Sequence, residues 1–232
     1  RRKAANAGGG VVEFATGFRN DLDRLTESCH ARGVAVFVDA IQGLGPLVLD
    51  VRATPVDFLA ADGHKWLLGP EGAGLLYVRS DWIDRLRPLL VGWNSVVHAH
   101  DYSRIDFTLK PDARRWEGGT YAMPALQSLG ASLELLHELG VETVSRRILD
   151  RAERTRELAR GLGWNVHGSR QPRDQSGIVS LEKSDVDPNL IVKRLRERGV
   201  ALSCRGGRLR ISPHVHTSDE KLTRCFEELA KC

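Results

Sequence analysis

Phe37-Val-Asp-Ala-Ile-Gln-Gly43, then Asp57-Phe-Leu-Ala-Ala-Asp-Gly-His-Lys-Trp66, then Gly69-Pro-Glu-Gly-Ala-Gly74 followed by Leu-Leu-Tyr-Val78, organise the rest of the chain. Residues 34–38 form an apolar run that stops abruptly on Asp39. A run of that length ending on an acid reads as a buried parallel strand, with the acid at the carboxyl end where open α/β sheets receive ligands. The second short run, residues 58–61, ends on Asp62-Gly63-His64-Lys65. Glycines around a strand-end lysine let the backbone approach a ligand closely and hold the amine near it.

One acid and one lysine aimed from neighbouring strand ends into a crevice is the pattern of a pyridoxal-phosphate site, where a lysine forms the Schiff base and an acid pairs with the pyridinium nitrogen. The motifs Val38-Asp39-Ala40-Ile41-Gln42-Gly43 and Asp62-Gly63-His64-Lys65-Trp66 resemble those of the class V aminotransferases, a branch of the fold-type I pyridoxal-phosphate enzymes. That branch includes cysteine desulfurases, kynureninase-like lyases and epimerase-like members. The resemblance runs from about Val11 to the end of the chain. It implies an α/β fold: an incomplete large domain on a mostly parallel sheet, then a small carboxyl-terminal α/β domain. Members carry a substantial segment ahead of the point where this chain begins, so the phosphate-binding loop and the group that stacks on the cofactor ring are expected to be missing.

Composition sets the outer bounds. The 232 residues can bury one large core or two small ones, and 41% hydrophobic with 28% charged residues is ordinary for a soluble globular chain. No apolar run approaches the roughly 20 residues that span a bilayer. The start, Arg-Arg-Lys-Ala-Ala-Asn-Ala-Gly-Gly-Gly, has no apolar core behind its basic residues and is not a secretory signal. Residues 1–10 are therefore expected to be a non-native or ragged start. A net charge of +4 raises nucleic acid as a partner. The arginines, however, alternate with acids along helical stretches such as Arg146-Arg-Ile-Leu-Asp-Arg-Ala-Glu-Arg-Thr-Arg-Glu157, as solvated helix faces do, so nucleic acid and membrane are not expected partners. Cys29, Cys204, Cys225 and Cys232 form no CxxC pair or metal-like cluster, which reads as reduced thiols in a cytoplasmic protein.

Taken in order, residues 11–14 read as a short strand. Asn20 reads as the cap of a helix to about Arg32 that stops at Gly33. The strand to Asp39 then gives strand–helix–strand and a parallel pairing. Further strands fall at residues 58–61 and 74–78, with a short helix over 81–89. Residues 91–115 carry Trp93, His98, His100 and Tyr102 without regular periodicity, as functional or mobile segments do. An amphipathic helix starts near Pro124 with Leu126, Leu129, Leu133, Leu136 and Leu139 on one stripe, and a long charged helix continues to about Leu162. After Trp164 come a strand at 178–181, a helix capped by Asp187 and opened by Pro188, strands at 200–203 and 208–212, and a last helix with a Thr217/Glu220 capping box. The domain boundary is expected near Arg154, giving a partial cofactor-binding domain over 11–153 and a small domain over 154–232.

Residue by residue, the resemblance makes Lys65 the Schiff-base and catalytic residue. A desolvated lysine has its pKa lowered toward the neutral amine that imine formation needs; without the motif, a surface lysine in a turn is the plain alternative. Asp39, 26 residues earlier, matches the pyridinium partner. Gln42 resembles the contact to the ring hydroxyl, His64 a phosphate contact, and Thr120 in Glu117-Gly-Gly-Thr the residue that reaches the phosphate of a neighbouring subunit. Asp62 stands where some branches have serine and is read as structural. Arg210 in Leu209-Arg-Ile-Ser-Pro-His214 resembles the arginine that forks onto the substrate carboxylate. His214 and His216 lack further ligands nearby, and no metal site is expected. Cys204 does not match the desulfurase cysteine loop. The expected function is pyridoxal-phosphate-dependent transformation of an amino-acid substrate, aminotransferase class V in type, in a protein that is a homodimer when complete. The alternatives are a lyase, epimerase or desulfurase of the same family, or a non-catalytic truncated fragment.

Overall fold

The computed structural model describes residues 10–169 and 171–232, and the backbone of residues 4–5. The chain divides into two compact units, one of Arg1–Gly8, Asp23–Ile41 and Asp50–Glu134, the other of Gly9–Leu22, Gln42–Leu49 and Leu135–Cys232.

In the first unit a four-stranded sheet runs in the order β1 (Ala4–Ala5), β2 (Ala35–Asp39), β3 (Phe58–Asp62), β4 (Gly74–Val78). The first three strands are parallel and β4 is antiparallel to β3. Two expectations change here. The parallel neighbour of β2 is Ala4–Ala5, within the stretch read as a ragged start, whose other residues up to Gly9 lie outside the described ones. Residues 11–14 form no strand. They fold back on themselves through a Val12–Arg19 bridge, closed by Glu13 N–H to Phe18 O at 2.9 Å and by Gly17 at φ +77°. Helix α1 (Leu22–His30) stops at Gly33 as expected. Asn20, however, turns its side-chain amide onto the Gly10 carbonyl at 2.7 Å instead of capping.

The helix expected over 81–89 is only a single 3-10 turn, Ser80–Trp82. The carbonyl of Ile83 is taken by the Arg115 guanidinium at 2.6 Å, which removes an acceptor a continuing helix would use. Helix α2 (Met123–Leu139) buries only Leu129 and Leu136 of its leucine stripe; Leu126, Leu133 and Leu139 stay exposed.

The second unit holds α3 (Val141–Gly161), β5 (Asn165–Val166), β6 (Val179–Glu182), α4 (Pro188–Glu197), β7 (Ser203–Arg205), β8 (Arg208–Ile211) and α5 (Asp219–Ala230). The antiparallel sheet order is β5-β6-β8-β7, and Ala152, Ala159, Leu181, Leu195, Leu209 and Phe226 form its core with the helices. Asp187 caps α4 as read, accepting from Asn189 N–H at 2.9 Å. The cap of α5 is Ser218, which accepts from Lys221 N–H, because the Thr217 hydroxyl is already taken by His214 N–H at 3.0 Å. The break between units at Glu134/Leu135 differs from the boundary expected near Arg154, which lies inside the continuous helix α3. Among the described residues no helix is long and apolar enough to cross a membrane.

The first unit turns on Asp57, 1% exposed. Its carboxylate accepts from Val36 N–H at 2.6 Å, Trp82 Nε1 at 2.6 Å and His30 Nε2 at 2.9 Å, and pairs with Arg79 at 2.9 Å. Burial pushes this carboxyl up, but the hydrogen bonds and the Arg79 charge outweigh it and hold it below the ordinary value. A depressed folded pKa contributes stability above the unfolded pKa and loses it as pH falls. Asp57→Ala should therefore cost about 3 kcal/mol by denaturant unfolding at neutral pH. Its deficit relative to the parent should shrink as pH drops below about 4; a constant deficit across that range would contradict the assignment.

Candidate active site

The register of the first sheet decides which side chains share a face. Phe37 pairs with Phe58 and Asp39 with Ala60; Ala60 pairs with Leu76 and Asp62 with Gly74. Because side chains alternate along a strand, Phe37, Asp39, Ala60, Asp62 and Leu76 share one face while Val36, Val38, Leu59 and Ala61 are buried on the other. The exposed face borders an open cavity of about 820 Å³, closed on its far side by Trp116, Glu117 and Arg114. Among the described residues Asp39 accepts one hydrogen bond, from Ile41 N–H at 3.0 Å, and its side chain is exposed.

The wall is acidic. Asp39, Asp62 and Glu117 line it, and the one cation there among the described residues, Arg114, is committed to Asp112 through contacts of 2.6 to 3.1 Å. Those hydrogen bonds hold the Asp112 carboxyl at about 2. Such a wall favours a protonated ring or an ammonium group over an anion.

Lys65 and His64 stand in the turn after β3. Gly63 N–H donates to Ala73 O at 2.8 Å, Gly69 N–H donates to Gly63 O at 2.9 Å, and buried Trp66 and Leu67 anchor the turn from within. A Cβ on Gly63 would come within 2.8 Å of the Leu129 side chain and 3.0 Å of the Ala73 carbonyl, so any larger residue requires both to shift. The turn closes with Leu68 in the left-handed region at φ +58°, an uncommon conformation for leucine that the surrounding bonds maintain. Lys65 is exposed, and its ammonium has no hydrogen bond or ion pair with the described residues. His64 Nδ1 is 3.8 Å from Asp62 Oδ2.

The remaining expected residues belong to both units. Thr120 is exposed, three residues after the wall residue Glu117. Gln42 is buried and engaged, and belongs to the second unit. So does Arg210, on β8, which donates to Phe14 O at 2.9 Å while its Nε is buried with no partner among the described residues. Ser180, opposite it in the β6–β8 ladder, has an equally unpartnered hydroxyl. Burial, with Arg205 nearby, pushes the Arg210 guanidinium below its usual range. A buried donor left unpaired in this way is a place for an acceptor.

Sequence reasoning missed the far wall. Glu117 opens the Glu117-Gly-Gly-Thr motif, but Asn94, 27 residues before Tyr121 and 16 before Lys110, gives no periodic signal that links it to either.

The class-V aminotransferase family model matches residues 10–223. The chain belongs to that family. A probable cysteine desulfurase of Methanothermobacter thermautotrophicus is 28% identical, covering 94% of this chain and 58% of its own length. The isopenicillin N epimerase of Streptomyces clavuligerus is 29% identical over 94% of this chain and 58% of its own. Among solved structures, a lysine-to-alanine variant of C-DES with glycine covalently linked to its pyridoxal-phosphate cofactor superposes with a TM-score of 0.88, at 27% identity over 95% of this chain and 59% of that one. The same protein has been solved as a cystine C–S lyase with its product cysteine persulfide. The chain thus spans under two thirds of the relatives it matches.

The wall depends on one close backbone approach. Asn94 N–H donates to Gly118 O at 3.2 Å, and a Cβ on Gly92 would lie 1.9 Å from that same oxygen. Gly92→Ala should force the two segments apart and cost about 2 kcal/mol. The near-ultraviolet circular dichroism of Trp93 and Trp116 should change while the far-ultraviolet spectrum stays; a parent-like melting temperature and spectrum would refute the contact.

Proposed function

We propose that this chain carries out pyridoxal-phosphate-dependent chemistry on an amino acid. The observation that carries the reading is the pair of strand-end groups: a carboxylate open to the cavity at Asp39, and an uncommitted lysine ammonium at Lys65 on a rigid turn. Their chemistry fits the cofactor, and a cavity of about 820 Å³ lies in the range of small-molecule sites. When bound, pyridoxal phosphate supplies an electron-withdrawing ring that stabilises negative charge at the substrate Cα.

Lys65 would hold the cofactor covalently and, once the substrate amine displaces it, accept the Cα proton at its Nζ. Asp39 would keep the ring nitrogen protonated. His64 and Thr120 would donate to the phosphate, and Gln42 would meet the ring hydroxyl. Arg210, with its unpartnered Nε, would take the substrate carboxylate as a planar fork.

Within the family, two of the four cysteines are poorly placed to collect sulfur in a desulfuration. A cysteine that collects sulfur from a substrate must move and must ionise readily. Cys204 is tied into the β7–β8 ladder opposite Leu209, in a hairpin closed by Gly206 and Gly207 at φ +55° and +73°. Cys225 is buried, and burial pushes its thiol up to about 11. The four unpaired thiols support a reducing, cytoplasmic setting. A homodimer is supported by the apolar side chains that the segment joined to Gly118 leaves in solvent: Leu89, Leu90, Tyr102, Ile105 and Phe107. Sedimentation with and without pyridoxal phosphate measures that association.

Adding pyridoxal phosphate to the parent chain should produce a visible absorption band that borohydride traps, and Lys65→Ala should abolish it with the fold intact. Asp39→Ala should keep the band but slow solvent exchange of the Cα proton, read by NMR over a panel of amino acids, by about a hundredfold. A band unchanged in Lys65→Ala removes the lysine assignment; no band in the parent supports the non-catalytic alternative.

A further inference from the structure

A directed hydrogen-bond chain ends on the wall of the Asp39 cavity. Lys110 Nζ donates to Asn94 Oδ1 at 3.0 Å, Asn94 Nδ2 donates to Tyr121 Oη at 2.5 Å, and Tyr121 Oη donates to Glu117 Oε2 at 2.5 Å. Every orientation in it follows from chemistry. An ammonium only donates, so it turns the Asn94 carbonyl toward itself and the amide toward the tyrosine. A phenol has one proton, so a Tyr121 that accepts from Asn94 gives that proton to Glu117. A cation stands at one end and a carboxylate at the other, with every dipole aligned between them.

The backbone is held by the same residues. Asn94 N–H donates to Gly118 O at 3.2 Å, Ser95 Oγ to Glu117 O at 3.4 Å, and Lys110 N–H to Ser95 O at 3.0 Å. Asn94 is 3% exposed and Ser95 is fully buried, so this anchor is out of reach of competing water. The segment it fixes runs straight into Gly119 and Thr120.

We infer that Lys110, Asn94 and Tyr121 are positioning residues for the cofactor site: they hold the Glu117 carboxylate and the Gly118-Gly119-Thr120 backbone at the cavity wall. The inference rests on the pyridoxal-phosphate reading above and adds to it three residues outside the motifs. A direct ion pair between an exposed lysine and glutamate would contribute little. Routing the contact through a buried amide and a phenol instead fixes direction as well as charge, since losing Lys110 or Tyr121 leaves a polar group of the buried Asn94 without its partner. Consistent with the chain, the hydrogen bond to Glu117 pushes the Tyr121 phenol above its usual range, the bond from Asn94 acting in the opposite sense.

The test uses the full chain and two readouts. Alkaline titration followed by tyrosinate absorbance, as the difference between parent and Tyr121→Phe, isolates this one of three tyrosines without any cofactor. Tyr121 should titrate late in the parent and earlier in Glu117→Gln. In the second arm, Tyr121→Phe and the isosteric Asn94→Asp, which can no longer donate to the phenol, should bind pyridoxal phosphate about tenfold more weakly. Their visible band should shift, with the far-ultraviolet circular dichroism showing the fold retained. Ordinary Tyr121 titration in the parent overturns the chain itself. A late-titrating Tyr121 with parent-like affinity and band in both variants overturns the positioning role and leaves the cofactor reading standing. A parent that takes up no pyridoxal phosphate overturns both, and the tyrosine titration tells that case from the others.

Discussion

The geometry of the first unit depends on one buried carboxylate. Asp57 lies one residue before β3 and binds Val36 twice: its side chain takes the Val36 N–H at 2.6 Å, and its own N–H donates to Val36 O at 3.1 Å. That double contact sets β2 against β3 just ahead of the Phe37–Phe58 pair. A slip of one residue would exchange the two faces of β2 and turn Asp39 into the core. The same carboxylate reaches His30 on α1 and, through Trp82 and Arg79, the chain leaving β4. Helix, parallel pair and antiparallel edge therefore meet at a single acid, and the position of Asp39 follows from it.

The far wall of the cavity is built differently. Residues 92–121 contain no strand and no α-helix, yet Gly92, Asn94, Ser95 and Lys110 converge on Glu117 and Gly118 through side-chain and backbone bonds. Regular structure satisfies backbone groups by repetition; an irregular segment must satisfy each one individually. That explains the buried polar residues Asn94, Ser95 and Arg115, the last donating to Lys110 O and Ile83 O. It also explains a glycine at 92, where a carbonyl passes too close for any side chain.

Much of this was legible in the sequence, for physical reasons that also mark where it stopped. The strand ending on Asp39, the strand at 58–62 and the strand at 74–78 could be read because burial writes itself into short apolar runs. The lysine turn could be read because glycines and a motif sit together. The pairing of Ala4–Ala5 with β2 could not, since two alanines carry no strand signal. The cap of α5 moved by one residue because Thr217 and Ser218 are chemically equivalent as caps, and only the prior claim of His214 on Thr217 decides between them. Asp57 and Asn94 were invisible for the same reason as each other: their partners are far along the chain, and nothing local distinguishes a buried acid or amide from a solvated one.

Three carboxylates of this unit show how environment assigns work to one functional group. Asp57 is buried and meets four donors, so its charge is fully spent on holding the sheet. Glu117 is exposed but tethered by one phenol, which orients it without consuming it. Asp39 accepts a single backbone bond among the described residues and lines the cavity. A carboxylate can act on a bound cation only with lone pairs that folding has left over. By that measure Asp57 is excluded from the chemistry although it is the most elaborately bonded acid in the unit. Asp39, bonded only by its own chain's Ile41 N–H among the described residues and positioned by the strand register, is the acid we propose to meet a protonated ring.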